Sequence, residues 1–374
     1  MRFDITRRCP RSAARRGRLT VRGHGFDTPV FMPVGTAATV KGVRPDEVAA
    51  AGTRILLCNT YHLHLRPGEE VIAALGGLHR FMGWEGAVLT DSGGYQVFSL
   101  ASRVRVDDEG VTFRSHLDGT TVALGPEEAV RIQARLGSDI VMVLDQCVPY
   151  PCPRPEAAAA VERSARWAER GLAAHRALDT GAALFGIVQG STFPGLRALS
   201  ARLTTALPFE GFALGGLSVG EGKRLMREMI ACTAPLLPED RPRYLMGVGE
   251  VDDILDAVAM GIDLFDCVLP TRNARNGTLF TRRGVLKLRN AALKRDPAPP
   301  DPECGCPLCT RFSRAYLRHL FNAREMLGPV LATLHNLRFY QDLMEGIRNA
   351  LAEGTFPEFR EAFLERYRGG EPAE

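Results

Sequence analysis

Eight short apolar runs, most of them followed by a stretch of helical period, set the narrowest limit on how this chain folds. They are Val30 to Val34, Ile55 to Cys58, Ala87 to Thr90, Ile140 to Leu144, Leu184 to Val188, Phe212 to Leu214, Tyr244 to Gly247 and Ile262 to Phe265. Short continuous apolar runs suit strands buried on both faces. Pro126 to Leu136, Pro155 to Leu178, Leu217 to Thr233 and Val251 to Met260 have the period of crossover helices, and two of them open with proline and acids, as a first helical turn tolerates. Eight such units predict an α/β protein, a (β/α)8 TIM barrel. One stretch breaks the alternation. Val104 to Leu124, with RVRVDDEGVTF around an acidic turn, has period two and predicts a β insertion at about 103–124, after the third strand.

The chain therefore divides into a catalytic barrel over residues 1–295, a metal-binding and helical region packed on it over 296–368, and a flexible tail over 369–374. DPAPPDP, Asp296 to Pro302, is the link. Next come three thiols in six residues, Cys304, Cys306 and Cys309, in a C-x-C-x2-C knuckle suited to one structural, tetrahedral zinc. A fourth ligand is needed, and His319 and His335 both lie downstream; spacing does not choose between them. An iron–sulfur cluster would want a fourth cysteine nearby. Nine cysteines, an odd number spread through the chain, do not suggest a disulfide framework.

The residues after each strand carry the chemistry, because barrel enzymes gather their sites on that rim. Strand three is followed by Asp91-Ser92-Gly93-Gly94-Tyr95-Gln96, strand four by Asp145-Gln146-Cys147, strand five by Gln189-Gly190, strand six by Gly215-Gly216-Leu217, strand seven by Gly247-Val248-Gly249-Glu250 and strand eight by Asp266. The glycine pairs leave the backbone open to a flat ligand, Tyr95 offers a ring, and Asp145 and Gln189 offer hydrogen-bonding edges. Met246 fits core packing as well as a site. Two acids, one attacking carbon and one moving protons, suit retaining chemistry at an anomeric carbon. After Asp266 the chain turns basic through Arg272 and Arg275, with Arg282 and Arg283 behind, which suits a phosphate-bearing partner. A net charge of +4 is too small to announce nucleic acid by itself. No run of about eighteen apolar residues exists and the basic N-terminus lacks an apolar core after it, so the expectation is a cytoplasmic protein without a membrane span.

The segments DSGGYQ, VQG, ALGGL, MGVG, DLFDCVLPTR and C-x-C-x2-C, in order over nearly the whole chain, closely resemble the tRNA-guanine transglycosylases, also called queuine tRNA-ribosyltransferases, of bacterial type. The resemblance implies a zinc-containing (β/α)8 enzyme that exchanges guanine at the tRNA wobble position in GU(N) anticodons (Asp, Asn, His, Tyr) for the 7-deazaguanine preQ1, through a covalent aspartyl–tRNA intermediate in queuosine biosynthesis. It makes Asp266 the nucleophile and Asp91 the general acid and base. Asp91, Ser92, Gly93, Gly94, Tyr95, Asp145, Gln189, Gly215, Gly216, Leu217 and Met246 correspond to the base pocket. Gly247, Val248, Gly249, Glu250, Val251, Asp252 and Asp253, with Thr271, Arg272, Asn273, Ala274 and Arg275, correspond to segments that contact tRNA. The zinc set closes on His335, and a homodimer is implied. Val219 and Cys147 resemble the preQ1-inserting type; Gln146 stands where such relatives usually have Glu. A queuine-inserting enzyme and a small-molecule N-glycosidase on the same barrel are the alternatives.

Overall fold

All eight apolar runs become parallel strands in a computed structural model that describes residues 1–100 and 102–370. The strands are Val30–Pro33, Ile55–Cys58, Ala87–Thr90, Ile140–Met142, Ala183–Val188, Gly211–Leu214, Arg243–Leu245 and Leu264–Cys267. Every residue in them is buried, which explains why the sequence shows no polar alternation there. In the sheet the first strand pairs with the eighth, and pairing continues in order from the eighth back to the second. A parallel bridge between Val34 and Leu57, with Gly35 N donating to Leu57 O at 2.7 Å, joins the first strand to the second and closes the barrel. Asp266 lies one residue inside the eighth strand, beside Met32 of the first, where the apolar pattern had ended that strand at Phe265.

The helical intervals pack outside. Pro126–Leu136 forms as the period predicts, Arg154–Leu178 and Val251–Ala259 within a residue of it, while Lys223–Thr233 starts late because residues 217–222 form a rim loop. The insertion is a three-stranded antiparallel sheet, Ser102–Asp107, Gly110–Arg114 and Thr121–Leu124, held to the long helix after strand four by Trp167 Nε1 on Asp108 O at 2.9 Å.

A second antiparallel sheet, Arg2–Arg8, Arg15–Val21 and His24–Thr28, covers the N-terminal end of the barrel. Its arginines hide a strand pattern whose apolar members, Leu19, Val21 and Phe26, are buried. The anchor is Arg15, only 2% exposed. Its Nε and Nη2 donate to the two oxygens of Asp263 at 2.9 and 2.6 Å, and Nη2 also to Arg241 O at 2.7 Å. Asp263, itself fully buried, accepts from Arg243 N at 2.7 Å and so fixes the start of strands seven and eight.

After strand eight come the helix Leu269–Arg275, the hairpin Thr278–Thr281 with Gly284–Lys287, and the helices Arg314–Ala323, Leu327–Glu353 and Phe356–Arg368. The proline-rich segment is fastened down: Arg314 donates to Pro299 O and Pro300 O at 3.1 and 3.2 Å and pairs with Asp296 at 3.2 Å. Leu327–Glu353 ties this region to the barrel. Its Tyr340 donates to Gly249 O at 2.6 Å, and Gln341 to Phe31 O at 3.2 Å. Of the expected tail, residues 371–374 lie outside the described residues. No helix among the described residues is long and apolar enough to cross a membrane.

Replacing Asp263 with Ala strands a buried guanidinium, so the unfolding free energy should fall by roughly 3–5 kcal/mol. The paired change Arg15→Met with Asp263→Leu should recover much of it. Chemical denaturation of the three proteins checks this, and a single-variant loss under about 1 kcal/mol would remove Arg15 as the anchor of the cap.

Candidate active site

The C-terminal ends of the strands surround a cavity of about 600 Å³. Asp91, Ser92, Gly93, Tyr95, Asp145, Gln189, Gly215, Gly216, Leu217, Met246, Gly247, Val248, Gly249, Glu250, Asp253, Asp266 and Arg272 all line it, joined by Asn59, His62, Cys147, Val219 and Tyr244. Parallel closure thus brings Asp91, Asp145 and Asp266 to one hollow, although they lie far apart in sequence.

Asp266 is held from one side. Tyr244 opposes Leu264 in the register of strands seven and eight, so its ring shares a face with Asp266 two residues on. The phenol donates to Asp266 Oδ1 at 2.6 Å, and Gly247 N donates to the same oxygen at 2.8 Å. Oδ2 takes no hydrogen bond from the described residues. Burial pushes this carboxyl above the usual range, against the pull of those two donors.

Asp91 stands just past strand three with three donors on it. Asn59 Nδ2 and Gln96 Nε2 reach Oδ2 at 2.5 and 2.8 Å, and Thr60 N reaches Oδ1 at 2.9 Å. Thr60 Oγ1 also bonds the Asp91 carbonyl at 2.5 Å. Burial outweighs these donors and, with a smaller contribution from the charge of Asp266, pushes Asp91 up to about 6. It is a carboxyl set to hold or release a proton near neutrality.

Asp145 accepts from Gln189 Nε2 at 2.5 Å and from Ser92 Oγ at 3.2 Å, and burial raises its pKa too. Gln189 Oε1 is buried without a partner among the described residues. The glycine pair beside it has a steric reason: a Cβ on Gly216, whose φ is +63°, would fall 2.2 Å from that oxygen, and one on Gly215 2.8 Å from the amide nitrogen. Gly94 lies behind the wall, opening the helix Gly94–Leu100, where a Cβ would come 2.8 Å from Asp145 O. Tyr95 is 53% exposed at the mouth. Gln146 is turned outward and accepts from Arg163 at 2.7 Å.

The basic run divides. Arg272 is exposed and lines the cavity, and Asn273 and Arg275 are half-buried just behind it. Val251 and Ala274 belong to the core, Thr271 bonds Val268 O at 3.2 Å, and Asp252 pairs with Lys223 and Arg227 at 2.8 and 3.2 Å. Arg282 is committed to Asp301 and Asp342 at 3.5 and 3.2 Å; Arg283 is exposed.

Away from the cavity, Cys304, Cys306 and Cys309 surround His335 from the long helix, all four buried. Their sulfurs lie 3.7, 3.4 and 3.3 Å from His335 Nδ1. Ligands about 2.0–2.3 Å from one tetrahedral ion stand apart by a similar amount. His335 Nε2 donates to Phe280 O at 2.8 Å, which leaves Nδ1 as the lone-pair nitrogen. The four residues can hold a metal ion; His319 is exposed elsewhere.

Several functional partners escape a scan of the sequence. Asn59 and Thr60 follow strand two, and the rule that marked the other strand ends would have found them. Tyr244 depends on strand register. Arg197, fully buried, donates to Ser191 O and Gly215 O at 2.8 Å each and pins the rim loops after strands five and six; nothing in its helix marks it.

A sequence model of the family described as queuine tRNA-ribosyltransferase matches residues 9–369. A protein of that name from Symbiobacterium thermophilum is 57% identical over 99% of this chain and 92% of its own length. Namesakes from Moorella thermoacetica and Bacillus velezensis are 55% and 50% identical, over 98% and 100% of this chain and 98% and 97% of their own.

Because Asp91 titrates near 6 when folded and near 3.8 when unfolded, its contribution to stability is whole below pH 3.8 and is lost as pH rises through 6. Relative to Asp91→Asn, which cannot titrate, the wild type should lose roughly 2.5 kcal/mol of unfolding free energy between pH 4 and pH 8. Denaturant titrations of both proteins across that range test the shift, and a pH-independent difference would return Asp91 to an ordinary carboxyl.

Proposed function

This chain belongs to the queuine tRNA-ribosyltransferase family, and from that premise we propose that it exchanges the wobble guanine of GU(N)-anticodon tRNAs, those for Asp, Asn, His and Tyr, for preQ1 in queuosine biosynthesis. The observation that carries the reading is a pair of buried carboxyls on one cavity with unlike partners: Asp266 fastened through one oxygen, Asp91 set to about 6.

A stacked anticodon base cannot reach a buried carboxylate, so the nucleotide is splayed into the cavity at a cost of a few kcal/mol, offset by contacts to the base. Tyr95 at the mouth stacks on it. Asp145 accepts from its N–H donors, the unpartnered Gln189 Oε1 takes another, and Gly215 and Gly216 let the ring lie against the backbone. Exposed Arg272 lies where a flanking phosphate would sit. Gly247 to Asp253 and Thr271 to Arg275 would contribute mainly through the members on or beside the cavity wall.

The free oxygen of Asp266 attacks C1′ of the ribose. The bond from C1′ to the guanine nitrogen breaks, its electron pair stays with guanine, and Asp91 donates the proton that lets guanine leave neutral. The RNA remains as an aspartyl ester. Ionised Asp91 then takes a proton from the incoming base, whose nitrogen attacks C1′ and releases Asp266. Tyr244 and Gly247 N hold the attacking group in line and stabilise its carboxylate when it departs.

Val219 lines the wall, and its branched side chain there favours the small aminomethyl group of preQ1 over queuine. Cys304, Cys306, Cys309 and His335 would hold one zinc ion, whose contribution is to folding because four protein ligands close the site. We further propose a cytoplasmic homodimer. Tyr316, Met326 and Leu327, respectively 38%, 83% and 43% exposed, support pairing through the face beside the metal cluster.

Labelled guanine should enter a tRNA carrying the U-G-U anticodon context, with preQ1 displacing it at lower concentration than queuine. Release of guanine from free guanosine without tRNA would instead favour a small-molecule glycosidase. Asp266→Asn should keep tRNA affinity within a few-fold yet yield no protein–RNA adduct on a denaturing gel; an adduct surviving in that variant would overturn the nucleophile.

A further inference from the structure

We propose that His24, His79 and Asp139 form a second metal site, for a divalent cation of the zinc, nickel and copper group, at the end of the barrel opposite the cavity. One ligand atom from each lies within 4.8 Å of the other two. The three come from separate elements. His24 begins the last strand of the N-terminal sheet, His79 lies on the helix Gly77–Met82, and Asp139 immediately precedes strand four.

Donor chemistry and geometry agree with a shared ion. Two imidazoles and one carboxylate suit borderline divalent metals and leave positions for water. His79 Nε2 stands 3.0 Å from Asp139 Oδ2, yet it is buried and has no well-directed hydrogen bond among the described residues. That is a lone pair or an N–H aimed at a carboxylate without satisfying it, and a cation between the two resolves the contact.

The surroundings orient the carboxylate. Asp139, 2% exposed, accepts from Val88 N at 2.9 Å. Arg22 lies 3.6 Å from the other oxygen, its guanidinium held by Gly137 O and Ser138 O at 3.1 Å each. The oxygen near His79 is Oδ2, the one that accepts from Val88 N. A bound ion would clip the N-terminal sheet to the barrel at a second point, far round the rim from the Arg15–Asp263 pair, and would stabilise the fold by mass action.

The test uses untagged full-length protein carrying its native metal in the thiolate cluster, titrated with Ni²⁺ by calorimetry. Wild type should bind one equivalent and gain thermal stability with rising Ni²⁺. His24→Ala and His79→Ala, both at partly exposed positions outside the catalytic cavity, should each weaken that binding at least tenfold, abolish the Ni²⁺-dependent gain and keep tRNA exchange unchanged. A wild type that takes up no Ni²⁺, or variants that bind it equally well, would overturn the site; in that case His79 and Asp139 form only a side-chain contact.

Discussion

Closure of the parallel sheet is the constraint on which the rest of this molecule depends. The bridge from Val34 to Leu57 and the four-residue ladder between strands one and eight make a cylinder of what would otherwise be an open sheet. Only then do the ends of strands three, four and eight face one another, and only then can Asp91, Asp145 and Asp266 share a hollow. The N-terminal cap serves the same end from below. Arg15 fixes Asp263, Asp263 fixes the start of strand eight, and three residues later the same strand delivers the carboxylate that faces the cavity.

Burying three acids together is costly, and the fold separates their behaviour by partner rather than by depth. Asp91 has amide donors and the nearby negative charge of Asp266; Asp266 has a phenol and a backbone N–H on one oxygen; Asp145 is occupied by Gln189 and Ser92. Identical side chains thereby differ in how readily they give up a proton and which oxygen they present. The arrangement is unfavourable for folding and useful for chemistry.

Much of this was legible in the sequence because buried parallel strands are short unbroken apolar runs, and because glycines and acids punctuate their ends. The eight strands, the β insertion, the cysteine knuckle and the rim acids follow from that pattern. What the pattern conceals is whatever depends on register or on long side chains reaching across elements. Tyr244 looks like core until strand seven is set against strand eight, and Arg197 looks like an exposed helical arginine until the rim loops close over it. The N-terminal sheet was hidden by its arginines, whose stems cover apolar surface while their charges face out. Choosing His335 over His319 needed the fold or the family; spacing could not provide it.

The long helix Leu327–Glu353 carries neighbouring side chains to separate destinations: His335 to the three cysteine sulfurs, Asn336 to Phe280 N, Thr278 O and Pro270 O, Tyr340 to Gly249 O, and Gln341 to Phe31 O. The cysteine knuckle is consequently not a portable module. A chimera that transplanted it without this helix would lose His335, and one that transplanted the helix alone would misplace the turns bordering the cavity, so exchange between relatives must move both as a single block.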